Sequence, residues 1–325
     1  MRRGRIITLC VVIAIMIMLS MSVLGHAALQ KPANYPKKPI HFIVTFSAGG
    51  GTDVGFRILC QYAEKIIGVP IVVVNKPGGG GEVGMVELVR SKPDGYTIGN
   101  FNSAHTTILA LREAKYSLDD VEPICLAVSD PRLFIVRADD DRFKTIEDFL
   151  EYGRKHPGKL TVGTSGAGTT GHFQILAVNK FANTSLQPVH YGGAGESKAA
   201  FLGKHIDAIT QTVGEILTTF EKGQARVLAV LADERIPEFP DAPTLKEKGI
   251  DLVMASNRGI AAPKGTPKEI INYLAEAFKE AMQDPKYIAE MQKLGLPIKY
   301  LGPEEFRKLN QKEYEVYSAI AKELK

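Results

Sequence analysis

Short apolar runs alternate along this chain with segments of helical periodicity. Phe42-Ile43-Val44-Thr45 is apolar and β-branched, the pattern of a strand buried in a parallel sheet. Beyond it, Phe56, Leu59, Cys60, Ala63 and Ile67 recur at helical spacing. Thr52 or Asp53 is the expected cap of that helix and Gly68 its stop. Ile71–Val74 reads as a second strand, Glu82–Val89 as a short helix ended by Lys92-Pro93, and Tyr96–Phe101 as a third strand. The order strand–helix–strand–helix–strand predicts a parallel sheet with helices on both faces.

The pattern then breaks. Ile124–Val128 and Leu133–Val136 flank Asp130-Pro131 with no helix between, which suggests a crossover into a second domain. There Thr145 caps a helix to Arg154, with Asp148 at its third position. Leu160–Gly163 is a strand, followed by a glycine-rich loop and a helix carrying Phe173, Leu176, Ala177 and Phe181. Gln187–Tyr191, Ile206–Thr210 and Val227–Leu231 read as strands and Glu196–Leu202 as a helix. Asp251–Ala262 resembles a return crossover. Three amphipathic helices close the chain: Lys268–Met282 with Ile271, Leu274, Ala275, Phe278 and Met282 on one face, Lys286–Leu294, and Pro303–Leu324. These are expected to pack on the first domain. The implied division is 35–130 with 257–325 for domain one and 131–256 for domain two.

Two stretches have the same design. Ser47-Ala48-Gly49-Gly50-Gly51 and Ser165-Gly166-Ala167-Gly168-Thr169 each follow a strand and open a helix. Glycines expose backbone N–H groups, and a helix N-terminus favours negative charge, so each is half of an anion pocket.

The charge balance limits the partners. With 40 Lys and Arg against 36 Asp and Glu the formal charge is +4. Arg2, Arg3 and Arg5 form a basic start to an apolar run, Ile6–Leu24, and Gly25-His26-Ala27 supplies small residues for cleavage after Ala27. Residues 1–27 therefore read as a signal peptide, with a retained membrane anchor as the alternative. Loss of those three arginines leaves 37 basic against 36 acidic residues, so nucleic-acid binding has no electrostatic support. Of the remaining cysteines, Cys60 and Cys125 read as core thiols. An exported protein also permits a disulfide between them, and both readings stand.

Enzyme signatures are weak. Gly166–Gly171 and Gly79–Gly84 match a dinucleotide-binding spacing, but the strands that follow end in Val189-His190-Tyr191 and Phe101-Asn102, without the acid that a ribose requires. Gly163–Ala167 has Ala where a nucleophile elbow has Gly, and no histidine pair has metal-ligand spacing. No cofactor, metal or catalytic residue is expected. His172, in the first turn of the second loop's helix, is a ligand donor or a packed residue. Asp53 is a cap or an acceptor for a ligand ammonium, hydroxyl or water.

Phe46–Asp53 with Arg57, Val74–Gly81, Pro93–Thr97, Ser165–His172, Tyr191–Ala194, Gly203–Asp207 and Ala262–Pro267 resemble, in order, the tripartite tricarboxylate transporter receptors of the Bug/TctC family. The resemblance implies a two-lobed periplasmic binding protein fold (type II-like), α/β, each lobe a mainly parallel sheet flanked by helices. It implies a monomeric periplasmic receptor that binds a small carboxylate by hinge closure and passes it to a membrane permease. Phe46, Ser47, Gly49, Gly50, Thr52 and Asp53 from the first loop, and Ser165, Gly166, Gly168, Thr169, Thr170 and His172 from the second, are the implied grip. Asn102, Tyr191 and Asp207 complete the set. One departure stands out: where relatives carry an aromatic, this chain has Ser256-Asn257-Arg258-Gly259. Arg258 would add a bidentate carboxylate contact or face solvent at the hinge. A sensor and a nucleotide-dependent enzyme are the rival functions. Edman sequencing of the exported protein is expected to begin at Ala28; an intact Met1 would indicate the anchored form.

Overall fold

The computed structural model describes residues 31–323; the signal-peptide reading lies outside them. The first lobe begins β1 (Ile40–Val44), α1 (Gly51–Ile67), β2 (Ile71–Asn75), α2 (Glu82–Val89), β3 (Thr97–Asn102) and α3 (Ser103–Leu111). β4 (Val121–Arg137) then enters the second lobe: α4 (Ile146–Lys155), β5 (Thr161–Thr164), α5 (Thr170–Phe181), β6 (Gln187–His190), α6 (Ala194–Leu202), β7 (Ala208–Thr212), α7 (Val213–Glu221) and β8 (Ala225–Val230). β9 (Ala255–Pro263) returns, and α8 (Lys268–Met282), α9 (Pro285–Lys293), β10 (Ile298–Leu301) and α10 (Pro303–Glu323) end the chain.

The strands run in the order β2-β1-β3-β9-β4-β7-β5-β6, with β8 and β10 also on β4. β1 pairs in parallel with β2 and β3, and β5 with β6 and β7. The two crossover strands run antiparallel to their neighbours. β4 pairs with β9 from Val121 to Pro131 and changes partner at the next residue, where Arg132 opposes Thr212 of β7. One strand is therefore shared by both sheets, and the lobes meet at Asp130–Arg132.

Most of the periodicity reading holds. Phe56, Leu59, Cys60, Ala63 and Ile67 are buried, and α1 ends at Gly68, whose φ of 81° is the left-handed conformation glycine tolerates. The expected face of α8 is buried in the same core. Thr145 accepts from the Asp148 N–H at 3.2 Å. Cys60 and Cys125 are free thiols within one apolar cluster.

Other expectations are corrected. α1 starts at Gly51 with Gly50 as its cap residue, so Thr52 and Asp53 lie inside the first turn rather than capping it. α5 buries Phe173, Ile175, Ala177 and Val178, while Phe181 is exposed. α3 is buried from Ser103 to Ile108, so it has no polar stripe to reveal it. The last helix does not belong to the first lobe alone. Phe306 packs with Ile43 and Phe101, but Tyr317 and Ala321 join the second lobe's core, with the Tyr317 ring 5.0 Å from that of Phe173.

Midway along α10, Glu313 is buried at this junction. Its Oε1 accepts from Ser103 Oγ (2.8 Å), Asn257 Nδ2 (2.8 Å) and Tyr317 Oη (3.3 Å). Burial raises its pKa from 4.5 to about 7, against the pull of those three donors. The folded chain thus keeps this proton over a range where the unfolded chain releases it. The resulting stabilisation is complete below pH 4.5 and is lost as pH rises through about 7. Glu313→Gln is expected to flatten the fall in melting temperature between pH 5 and pH 8; an unchanged slope would remove Glu313 as its source.

Candidate functional site

β1 and β5 each deliver a glycine loop to the junction. Gly50 and Thr169 are the cap residues of α1 and α5, and neither helix has a side-chain cap bond. Their first-turn N–H groups are therefore open to an external acceptor. Both helices begin at one small chamber between the lobes. Phe46, Ser47, Gly50, Gly51, Thr52, Asn102, Ala104 and Ser256 line it from one side, and Arg132, Ser165, Thr170, Gly193, Ala194 and Glu215 from the other. Its volume is about 30 Å³, room for only a few atoms of solvent size. Phe46, Ser47 and Ser165 also border an outer cleft of about 430 Å³, walled by Gly78–Gly81, Arg112, Gly166, Ala167, His190, Tyr191 and Gly192.

Direct contacts hold the lobes together around this space. Ser47 Oγ donates to Gly192 O at 3.1 Å, and Thr107 Oγ1 donates to Gly168 O at 2.6 Å. The Gly78–Gly81 loop, with φ positive at all four residues, lies against the second glycine loop. A Cβ on Gly80 would sit 2.5 Å from Ala167 O.

The expected site residues divide into two groups. Phe46, Ser47, Gly50, Thr52, Asn102, Ser165 and Thr170 line the chamber, and Gly166 and Tyr191 the outer cleft. Thr52 Oγ1 accepts from Asn102 Nδ2 at 3.1 Å. The others hold loops in shape. Asp53 accepts from Gly49 N, Arg57 Nε and Asn75 Nδ2 at 2.8–3.0 Å, so its carboxylate is committed within the lobe. Thr169 Oγ1 donates to Gly166 O at 2.8 Å. His172 Nδ1 accepts from Gly168 N at 3.0 Å, and burial, assisted by His190, lowers its pKa to about 4, so the ring is neutral. Asp207 sits at the opposite end of β5, bound to Thr161 and Arg142, away from the loop.

Arg258 adopts neither of its expected roles. It is 2% exposed and donates to Asp130 (2.8 Å), Thr212 Oγ1 (3.2 Å) and Glu215 (3.3 Å). The cation on the chamber wall is Arg132 instead. Periodicity placed residue 132 in a crossover and gave no reason to expect chemistry there. Glu215 was hidden because α7 was not foreseen. The Asp-Pro-Arg step at the crossover was the available signal, opposite charges flanking a proline within a strand shared by both sheets.

His105 is another residue the sequence left unassigned. Fully buried, its pKa lowered to about 3 by desolvation, it accepts at Nδ1 from Asn102 N (2.9 Å) and donates from Nε2 to Thr45 Oγ1 (3.0 Å). It fixes Asn102, which in turn holds Thr52. Among the described residues no group of acids, histidines and cysteines has the arrangement of a metal site.

Two α/β lobes joined by paired crossover strands, with a cleft between their glycine loops, define a solute-binding protein. The model of the tripartite tricarboxylate transporter family receptor matches residues 55–325, and the chain belongs to that family. It is 32% identical to a protein described as "UPF0065 protein in gbd 5'region" from Cupriavidus necator, over 93% of each chain. A structure described as a periplasmic transporter shares 31% identity at a TM-score of 0.84, covering 89% of this chain and 97% of that one. The periplasmic binding protein BugD shares 28% at 0.84, covering 89% and 98%. The family is one of receptors and BugD is a periplasmic binding protein, and the two-lobed fold expected from the resemblance is the fold observed.

Gly80→Ala is expected to oppose the approach of the two loops, through its positive φ and the clash with Ala167 O. A penalty of about 1–3 kcal/mol on the closed form follows from overpacking at such a contact. Small-angle scattering should report a larger radius of gyration than wild type; an equal radius would mean that the loops accommodate the methyl.

Proposed function

We propose that this chain is an extracytoplasmic solute receptor that closes on a small carboxylate and delivers it to a tripartite tricarboxylate-type permease. The observation that carries this reading is the convergence of two uncapped helix N-termini on one chamber. Ser47, Gly50, Thr52, Asn102, Ser165 and Thr170 are the proposed contacts, and Phe46 and Tyr191 the flanking wall. Gly49, Asp53, Gly166, Gly168, Thr169 and His172 keep the donor loops in shape. Family membership supports transport over catalysis.

The energetics suffice. Each helix N-terminus contributes roughly 0.3–2 kcal/mol toward an anion. Neutral hydrogen bonds add about 0.5–1.5 kcal/mol each. Several together reach the ~8 kcal/mol of micromolar binding. Donors divided between two lobes favour the closed form by their differential affinity, which makes ligand a closing agent. We infer that the lobes are built on 35–130 with 257–325 and on 131–256, with the end of α10 reaching into the second, that the leader is removed after Ala27, and that the mature chain acts as a periplasmic monomer. Among the described residues no helix is long and apolar enough to cross a membrane.

A thermal-shift panel of mono-, di- and tricarboxylates and aromatic acids tests this. A ligand at 100 times its Kd should stabilise the protein by about 2.7 kcal/mol. Ser47→Ala, which also removes the bond to Gly192, should weaken the best ligand about 3–10-fold by calorimetry while leaving the unliganded fold intact. Failure of every carboxylate to shift the melting curve would refute the carboxylate reading.

A further inference from the structure

Arg132 is 3% exposed and lines the chamber. Side chains of this charge are rarely buried without an opposite charge, because desolvation is costly unless a partner offsets it. Yet no carboxylate among the described residues lies within ion-pair distance of it. Its Nε donates to Gln174 Oε1 at 3.0 Å and its Nη2 to Thr210 O at 2.5 Å, both neutral acceptors. Nη1 has no acceptor among the described residues.

The neighbouring acids are already engaged. Asp130 accepts from Arg258 Nη1 at 2.8 Å and from Val213 N at 3.0 Å. Glu215 accepts from Arg258 Nη2 at 3.3 Å and from Thr212 N at 3.1 Å. Both act on Arg132 only through space, and burial is the largest influence on its guanidinium, pushing its pKa down.

The guanidinium is also held in one orientation. Gln174 Nε2 donates to Leu133 O at 3.0 Å, which turns Oε1 toward Arg132. Gly171, in the first turn of α5, leaves the space Nη2 occupies: a Cβ there would lie 2.7 Å from Nη2 and from Thr210 Oγ1. A fixed cation with an unused donor, beside an uncapped helix N-terminus, needs an anion to complete it.

We propose that Arg132 is the specificity-determining residue of this receptor, its Nη1 pairing with the ligand's carboxylate in the inner chamber. This rests on the carboxylate reading above. It adds that recognition is charge-paired in the second lobe, and not made by neutral donors alone. A ligand whose acid is replaced by a primary amide is then rejected, because Nη1 would face a weaker acceptor and the charge would stay unpaired.

The test uses the mature full-length chain and calorimetry with acetate, succinate, glutarate, citrate and benzoate, taking forward the tightest binder and its primary amide. Arg132→Gln should lose at least ~10-fold in affinity for the acid and discriminate acid from amide at least ~10-fold less than wild type. Arg132→Lys, which keeps the charge but not the fork, should fall between. If the wild type binds an acid and Arg132→Gln keeps both affinity and discrimination within twofold, the role of Arg132 is refuted while the receptor reading survives. If no acid binds the wild type, both are refuted. Should the variants fail to fold, a crystal structure of the wild-type complex decides. A carboxylate oxygen within hydrogen-bonding distance of Nη1 supports the assignment, and a carboxylate held only by the glycine loops overturns it.

Discussion

The structure depends on a buried ion pair at the point where the chain changes sheets. Asp130 and Arg258 lie on the two crossover strands, 0% and 2% exposed, and join at 2.8 Å. Removing two charges from water is expensive, and their attraction compensates best when further hydrogen bonds satisfy the remaining polar atoms. Here Thr212, Glu215 and the Val213 N–H complete most of the set. Those three residues belong to β7 and α7 of the second lobe. The pair thus ties the crossover to the end of β7 and the start of α7, which in turn orients Glu215. It also limits Gly51, since a Cβ there would lie 3.1 Å from Arg258 Nη2. A side chain at the first position of that helix would make the guanidinium beneath it give way.

On this base the two lobes offer the same local solution with different charge. In both, a strand ends in a glycine loop and the next helix begins without a side-chain cap, so that its leading amides stay available. In the first lobe the nearby acid, Asp53, is neutralised by Arg57 and fully bonded, which keeps its charge from opposing an anion. In the second, the corresponding histidine is neutral and Arg132 supplies the charge. The second lobe's wall also carries Glu215, bonded to Arg258, so the ionised groups that line the chamber, Arg132 and Glu215, both come from that lobe.

Much of this was legible in the chain. α1, α2 and α8 announced themselves because each has a buried stripe and a glycine, proline or polar boundary. The glycine loops were legible because three consecutive glycines after a strand, or Gly-x-Gly beside hydroxyls, have few other uses. What escaped were α3, buried along most of its length and so without polar–apolar contrast, α7, which is amphipathic but only 9 residues long, and the path of α10. Its amphipathic pattern is that of a helix on one core, although its buried residues serve two. Arg258 and Arg132 show the limit in another way. Sequence shows that a charge is present in a crossover, but only three-dimensional packing shows which arginine has an acid beside it and which does not.

α10 carries a mechanical implication. Its 21 residues span about 31 Å and are anchored in one lobe by Phe306 and in the other by Tyr317, with Glu313 bonded between them. A stiff rod pinned at two points resists bending. Any parting of the two cores would therefore have to bend this helix or release one of its two anchors.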